Sequence, residues 1–365
     1  MKKVICIWIT IFSIIILGAT GCSFIAIPET PQVEYNDNQQ LQDEIIITML
    51  DVGQGLCVLF ETTEGSILYD GGDREHSSFV VAYLKEHGIE NIEYMVASHY
   101  DEDHIAGLIG VLNTISVKNI IIPQYKTDTN IYSSFMKAIK SAESIEYANT
   151  GDRYNLGDTT IDILYGCNGS ESSENESSTV IKVSHGNFSS VLTGDAGYIT
   201  ENVLINNCNN LECTLYVVGH HGSAFSSSES FVNIMSPDYA FVSSGADNEY
   251  GHPAETTLDV LEKNNVTVYR TDIQGTIRLN YSNGKCEVLT EKDDRSIISQ
   301  KEDTVSIKVP NEVDFTYILN TSSMKFHIPE CSAVNKMAEH NKEYSLSERN
   351  ILIEEGYSPC GMCNP

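Results

Sequence analysis

The stretch that most narrows the fold is "IEYMVASHYDEDHIAGLIGVLN", residues 92–113. A strand-length apolar run delivers the chain directly into His99-Tyr100-Asp101-Glu102-Asp103-His104, and "IAGLIGVLN" then reads as the start of a helix. Two histidines and three acids therefore sit on a loop between a strand end and a helix N-terminus, where α/β proteins usually place their chemistry. The same ending recurs. Asp51 closes "IIITML", Asp195 closes "FSSVLTGDAG", and His220 and His221 close "CTLYVVGHHGS". One such residue is ordinarily a cap or turn residue. Several in one domain, with two histidine pairs or near-pairs, point to a shared site.

The text around these endings has a consistent rhythm. "LCVLFE", "SILYDGG", "IDILYG", "STVIKVS", "YAFVSSG", "VTVYR" and "TIRLNY" read as strands, and "ITENVLINN" and "ETTLDVLEKN" as helices. In "SSFVVAYLKEHG", Phe79, Val80, Tyr83 and Leu84 fall at helical spacing and Gly88 supplies a stop. Strands outnumber helices, and hairpins mix with crossovers. This predicts an α/β domain of two mixed sheets with helices outside, over residues 45–290, and not a doubly wound parallel sheet. Residues 291–313 are charged and poorly patterned and read as a linker, and 314–365 as a small C-terminal unit. With 365 residues, 41% of them hydrophobic, one large domain and one small one can each bury a core.

The N-terminus has the layout of an export signal. Lys2 and Lys3 precede an apolar run from Val4 to Leu17, too short for a confident membrane span, and small residues then lead to Cys22. This resembles a bacterial lipoprotein cleavage site. It implies a signal peptide over residues 1–22, a lipid on Cys22, and an outward-facing protein anchored to the cell membrane. A simple signal peptide or an uncleaved anchor is the alternative. Residues 23–44, rich in Pro, Asn and Gln, read as a polar tether. Of the 10 cysteines, Cys57, Cys167, Cys208, Cys213 and Cys286 have no disulfide-framework spacing and read as small packed hydrophobes. The net charge of −29 repels polyanions at long range, so a phosphate-ester substrate requires a metal or a local basic patch.

A metal centre accounts for the clustered residue types. Two divalent ions about 3.5–4 Å apart need roughly six to eight donors, with at least one bridging carboxylate to offset the adjacent charges. Water bound there falls to a pKa of about 7 and becomes the nucleophile. "ASHYDEDHIAG" resembles the metal motif of the metallo-β-lactamase fold. With "MLDVGQG", "LYDGG", "LTGD", "VGHHGSAFSSSESF", "YGHP" and "YRTDIQGTIRL", it resembles the hydrolase domain of ComEC-type competence proteins, from about Ile45 to Leu289. The resemblance implies an αββα sandwich with a binuclear site on its top edge. It implies His99 and Asp101 on one metal, Asp103 and His104 on the second, and Asp195 as the bridge. One of His220 and His221 completes the second site, with the spacing favouring His221. Asp51 would orient the motif loop from behind.

Two departures stand out. The fold's commonest motif has His where Asp101 stands, and Asp makes a harder site at which manganese or magnesium competes better with zinc. A third histidine usually lies before the bridging Asp; here the region reads "SENESSTVIKV", and Asn175 is the candidate participant. His185 reads as a hairpin turn residue. Ser223, Ser244 and His252 lie in loops expected to face the same edge. His252 is placed to contact a phosphate or protonate a leaving group, or alternatively to shape the loop before Pro253. Arg270 and Asp272 read as a structural pair, and Glu102 as an exposed acid.

At the C-terminus, His327-x3-Cys331 and Cys360-x2-Cys363 form a four-donor zinc arrangement that can fold a unit with little core. "FHIPEC" and "RNILIEEGYSPCGMCNP" resemble the small metal-binding domain of Ada-type DNA-repair proteins, with His327 in place of that family's first Cys. A Cys360–Cys363 disulfide is the alternative, and His340 reads as solvent-facing. Together these readings predict a membrane-anchored, binuclear metal-dependent hydrolase with two ions, zinc or manganese, and one structural zinc. Its leading substrate is nucleic acid, cleaved at the phosphodiester. The same fold permits a carboxyl ester, lactone or lactam, and a degenerate site would leave a DNA-capturing lipoprotein.

Overall fold

Alternation along the strands divides the interior into layers. In the computed structural model, Ile67 and Tyr69 face one apolar cluster while Leu68, between them, faces another. Leu215 and Val217 likewise point away from Tyr216. Successive side chains leave a strand on opposite faces, so a strand apolar on both faces must be covered twice. The structure describes residues 44–167, 169, 173–292, 317–320, 323–328, 331, 333–337, 342–345, 349, 352 and 357–363. Cys22, the signal and tether apart from Glu44, most of the linker, and His340 lie outside them.

The first sheet is entered by β1 (Glu44–Met49), β2 (Val58–Thr62), β3 (Gly65–Tyr69), β4 (Asn91–Val96), β5 (Ser116–Ile122) and β6 (Ser144–Tyr147). The second is built from β7 (Arg153–Leu156), β8 (Thr159–Tyr165), β9 (Val180–His185), β10 (Phe188–Leu192), β11 (Leu215–Val217), β12 (Tyr239–Val242) and β13 (Thr267–Arg270). The chain then returns to the first sheet as β14 (Ile277–Ser282) and β15 (Lys285–Thr290), with β14 antiparallel to β1. The strand orders are β15-β14-β1-β2-β3-β4-β5-β6 and β13-β12-β11-β10-β9-β8-β7.

Ile45, Ile47, Phe60 and Tyr69 of the first sheet pack against Ile181, Val183, Phe188 and Phe241 of the second. Helices α1 (Ser77–Glu86), α2 (Glu102–Leu112) and α3 (Asn130–Ala138) cover the outside of the first sheet. Helices α4 (Tyr198–Asn207), α5 (Glu229–Met235) and α6 (Glu255–Lys263) cover the outside of the second. This is the expected αββα sandwich of two mixed sheets. In α1 the apolar stripe is narrower than its spacing suggests: Val80 and Leu84 are buried, whereas Phe79 is 39% exposed. Among the described residues, no helix is long and apolar enough to cross a membrane.

Strands β3 to β6 are parallel to one another, as are β10 to β13. Their carboxyl ends open onto loops that carry Asp70, His99, Asp195 and His220. Strand pairing sets these loops side by side, because Tyr69 pairs with Val96 and Leu192 with Val217. A separate four-stranded sheet, ordered β18-β16-β17-β19, contains β16 (Tyr317–Asn320), β17 (Lys325–His327), β18 (Lys342–Ser345) and β19 (Ser358–Pro359).

Candidate metal centre

Three histidines have one ring nitrogen fixed by the scaffold and the other left bare. His104 Nδ1 lies 2.8 Å from Asp70 Oδ2, and His221 Nδ1 lies 3.0 Å from the Ser243 carbonyl oxygen. Both partners only accept, so both Nδ1 atoms carry hydrogen, and it is the Nε2 atoms that would give lone pairs to a metal. Ser98 Oγ donates to Asp70 Oδ2 at 2.6 Å and takes up His99 Nδ1–H at 2.9 Å. His99 Nε2, His104 Nε2, His221 Nε2 and Asp195 Oδ1 are buried with no hydrogen-bond partner. Orphaned buried polar atoms are rare because each costs about 1–3 kcal/mol. Four that converge from three segments of chain fit a divalent metal.

Asp195 occupies the middle. Its Oδ1 is 3.2 Å from His104 Nε2, and its Oδ2 is 3.6 Å from His221 Nε2 and 3.9 Å from both His99 and His220 Nε2. Asp103 Oδ2 is 3.3 Å from His221 Nε2 and 3.8 Å from His104 Nε2. Asp101 is the N-cap residue of α2, yet its side chain caps none of the helix N–H groups. Its Oδ2 lies instead 3.4 Å from His99 Nε2. Two compact donor groups result, His99/His104/Asp195 and Asp103/His104/His221. His104 belongs to both, whereas the sequence assigns it to the second set alone.

The histidine pair is presented by strained backbone. His220 and His221 both have positive φ, 50° and 56°, which costs a non-glycine residue of order 1–3 kcal/mol. Gly219 donates its N–H to Tyr216 Oη, fixing the start of this turn. Consecutive left-handed residues aim both rings inward. His221 Nε2 meets Asp103 and Asp195, while His220 Nε2 lies 3.3 Å from Asn175 Nδ2.

The charges are mutually stabilised. Burial opposes charge on His104, but Asp195, Asp103 and Asp70 outweigh it and raise its pKa well above the usual value. His221 is raised in the same way by Asp195 and Asp103 against its burial. Burial alone would raise both carboxyls, but the facing imidazoles hold Asp103 down at about 2 and Asp195 well below the usual range. His252 differs. Burial, with His220 and His221 nearby, lowers it to about 4, so the ring is neutral at pH 7. Gly245 N–H donates to Gln54 Oε1, which turns the Gln54 amide nitrogen toward His252 Nδ1 at 3.3 Å. His252 Nδ1 accepts, and its Nε2–H remains available.

Three expectations need correction. Asp51 does not support the motif loop: its carboxylate accepts from Gly53 N–H and pairs with Lys292 at 3.5 Å, because its own loop turns it away. Ser223 does not face the centre. It is buried, and its hydroxyl accepts from Phe225 N–H inside the turn after the histidine pair. His185 is not a turn residue but the buried end of β9, bonded to Thr159 Oγ1 at 2.8 Å. Arg270 pairs with Asp272 at 2.6 Å, and Glu102 is exposed and pairs with Arg74.

The loop support comes from Asp70, a residue to which the sequence reading gave no role. It is fully buried, has φ 56°, and accepts from Ser98 N–H at 2.8 Å as well as from Ser98 Oγ and His104 Nδ1. Its signal was the pair of glycines after it in "LYDGG". A Cβ on Gly107 of α2 would lie 1.7 Å from the Gly71 oxygen, so bare backbone on both sides lets the helix approach. The approach is sealed by Gly71 N–H to His104 O at 2.8 Å and Gly107 N–H to Gly72 O at 2.9 Å.

In the C-terminal sheet, His327, Cys331, Cys360 and Cys363 bring one donor atom each within 4.8 Å of one another. All three cysteines are free thiols, so no Cys360–Cys363 disulfide is present. Both ring nitrogens of His327 are buried without a hydrogen-bond partner, and Cys360 Sγ accepts from Met362 N–H at 3.4 Å. This donor set also fits a divalent metal.

The sequence profile described as "Metallo-beta-lactamase superfamily" matches residues 50–246, over half of the chain. ComE operon protein 3 of Bacillus subtilis (strain 168) is 29% identical over 262 residues, covering 67% of this chain and 34% of that protein. Competence protein ComA of Neisseria gonorrhoeae is 29% identical over 259 residues, 69% of this chain and 34% of the relative. Recombination protein 2 of Haemophilus influenzae is 29% identical over 247 residues, 66% and 29% of the two chains. The chain thus spans about a third of the length of these curated relatives. The donor cluster and the fold are those of a metal-dependent hydrolase, and the chain belongs to the metallo-beta-lactamase superfamily.

Proposed function

We propose that this chain is a binuclear phosphodiesterase acting on DNA, exported and held at the outer face of the cell membrane by a lipid on Cys22. The observation that carries the reading is the convergence of the bare His99, His104 and His221 Nε2 atoms on Asp195. His99 and Asp101 are assigned to one ion and Asp103, His104 and His221 to the other, with Asp195 between them. His220, steadied by Asn175, serves the first. It stands where the region before Asp195 supplies no histidine.

Divalent ions held there, zinc or manganese, supply positive charge for the phosphate and an activated water. The carboxylates set that charge. Asp101, Asp103 and Asp195 carry three negative charges against two dications, leaving a net positive pole in a protein of net charge −29. Neutral His252 presents Nε2–H and serves as a hydrogen-bond donor to a phosphate oxygen, not as an imidazolium acid. Competence and recombination, for which two of the relatives are named, are processes that handle DNA, and this supports DNA over other phosphodiesters. His327, Cys331, Cys360 and Cys363 are assigned to one structural zinc.

The full chain is to be loaded with zinc or manganese and offered linear DNA, bis(p-nitrophenyl) phosphate and a chromogenic β-lactam. Both phosphodiesters are expected to be cleaved, with rates falling more than about 100-fold in Asp103→Ala and the lactam left intact. DNA cleavage that survives Asp103→Ala overturns the reading. Cleavage of the lactam alone transfers the chemistry to a C–N bond.

A further inference from the structure

A groove of about 620 Å3 is lined in part by Tyr100, the residue between His99 and Asp101 in the motif loop. Tyr125 and Lys126 from the loop after β5, Tyr132 and Lys137 from α3, and Tyr147 at the end of β6 line it with Tyr100. The Tyr100 ring forms the floor: it is buried and packs on Tyr125 and Tyr132 at 4.7 and 4.8 Å between centroids. Tyr147 is 51% exposed, so its ring is free to receive another. The groove is tied directly to the motif loop, because Tyr125 Oη accepts the Tyr100 N–H at 2.9 Å.

We infer that this groove binds one unpaired nucleobase of a single-stranded DNA whose neighbouring phosphodiester lies at the metal centre. The inference rests on the phosphodiesterase reading above and names its preferred substrate. An aromatic groove recognises a flat ring by stacking, and a base within a duplex offers no free face to it. Lys126 and Lys137 provide the charge. The chain has 22 Lys and Arg against 51 acids, and here two lysines flank four tyrosines. Among the described residues, neither lysine is engaged in an ion pair. Cations beside a stacking platform suit the phosphates on either side of a bound base.

The test uses the metal-loaded full chain and a fluorescein-labelled dT12 strand with phosphorothioate linkages, which slow hydrolysis, followed by anisotropy. The strand is expected to bind at least tenfold more tightly than a duplex of the same length. Tyr132→Ala/Tyr147→Ala should weaken its binding about 5- to 150-fold, the span of one lost base stack. Tyr132→Phe/Tyr147→Phe should retain it, and an abasic strand should bind the wild type and the Ala variant alike. The Ala variant should keep the wild-type circular dichroism spectrum and melting temperature, which shows that it folds. Equal binding of dT12 by the wild type and a folded Ala variant overturns the inference, as does duplex binding as tight as single-strand binding. Failure of the wild type to cleave bis(p-nitrophenyl) phosphate instead sinks the phosphodiesterase reading, and the groove then stands or falls on the dT12 binding alone.

Discussion

At the scale of single residues, the centre depends on who fixes the imidazoles. Asp70 takes three hydrogen bonds on two oxygens, from Ser98 N–H, Ser98 Oγ–H and His104 Nδ1–H. In Asp70→Asn, one oxygen remains as acceptor and an NH2 group faces donors. His104 and His99 lose their fixed tautomer. The expected outcome is a rise of about 10- to 100-fold in the metal dissociation constant, read by chelator competition and metal analysis. A purely structural role for Asp70 would lower the melting temperature and leave that constant unchanged. Asp70 was hard to find from sequence because "LYDGG" looks like an ordinary Asp-Gly turn. Only the close approach of α2 shows which direction the carboxylate faces. The histidines and Asp195 were legible because few other arrangements put so many ligand-type side chains at strand ends.

At the scale of elements, the start of α5 is held by a buried carboxyl in α4. Glu201 is 1% exposed and accepts the N–H groups of Ser227 and Ser228 at the start of α5. Burial raises its pKa from 4.5 to about 7 despite those bonds. The folded state therefore favours the protonated form. The stability this contributes is fully present below pH about 4.5, falls as pH rises to about 7, and is flat above. The drop across that window is about 3 kcal/mol. Glu201→Gln cannot titrate, so the difference between wild-type and variant unfolding free energies should change by that amount between those pH values. Parallel curves from chemical denaturation across the window would refute it. This link was invisible in the sequence, since "ITENVLINN" shows an acid in an unremarkable helix and gives no sign that its face is covered.

At the scale of the whole chain, two kinds of interior coexist. The sandwich is held by three apolar clusters that span both sheets and six helices. Among the described residues, the C-terminal sheet has two small clusters, around Ile318 and Val334 and around Phe326 and Leu352. So little apolar burial leaves its four metal donors to supply much of its folding free energy. Cys360→Ser, or zinc removal by a chelator, is expected to raise amide exchange throughout residues 317–363 while β1–β15 keep their protection. Unchanged protection in the C-terminal sheet after zinc removal would show that the metal is dispensable there.

The periods of apolar residues are enough to establish the layers, since a side chain alternates across a strand whatever lies beyond it. They also establish that ligand-type residues end the parallel strands. The direction of each carboxylate belongs to the folded molecule. Asp51 and Asp70 both follow a strand, yet one turns toward Lys292 and the other toward His104. The difference lies in the neighbours that strand pairing and glycine-to-glycine contact bring within reach. These neighbours come from distant parts of the chain, and no local pattern of residues encodes them.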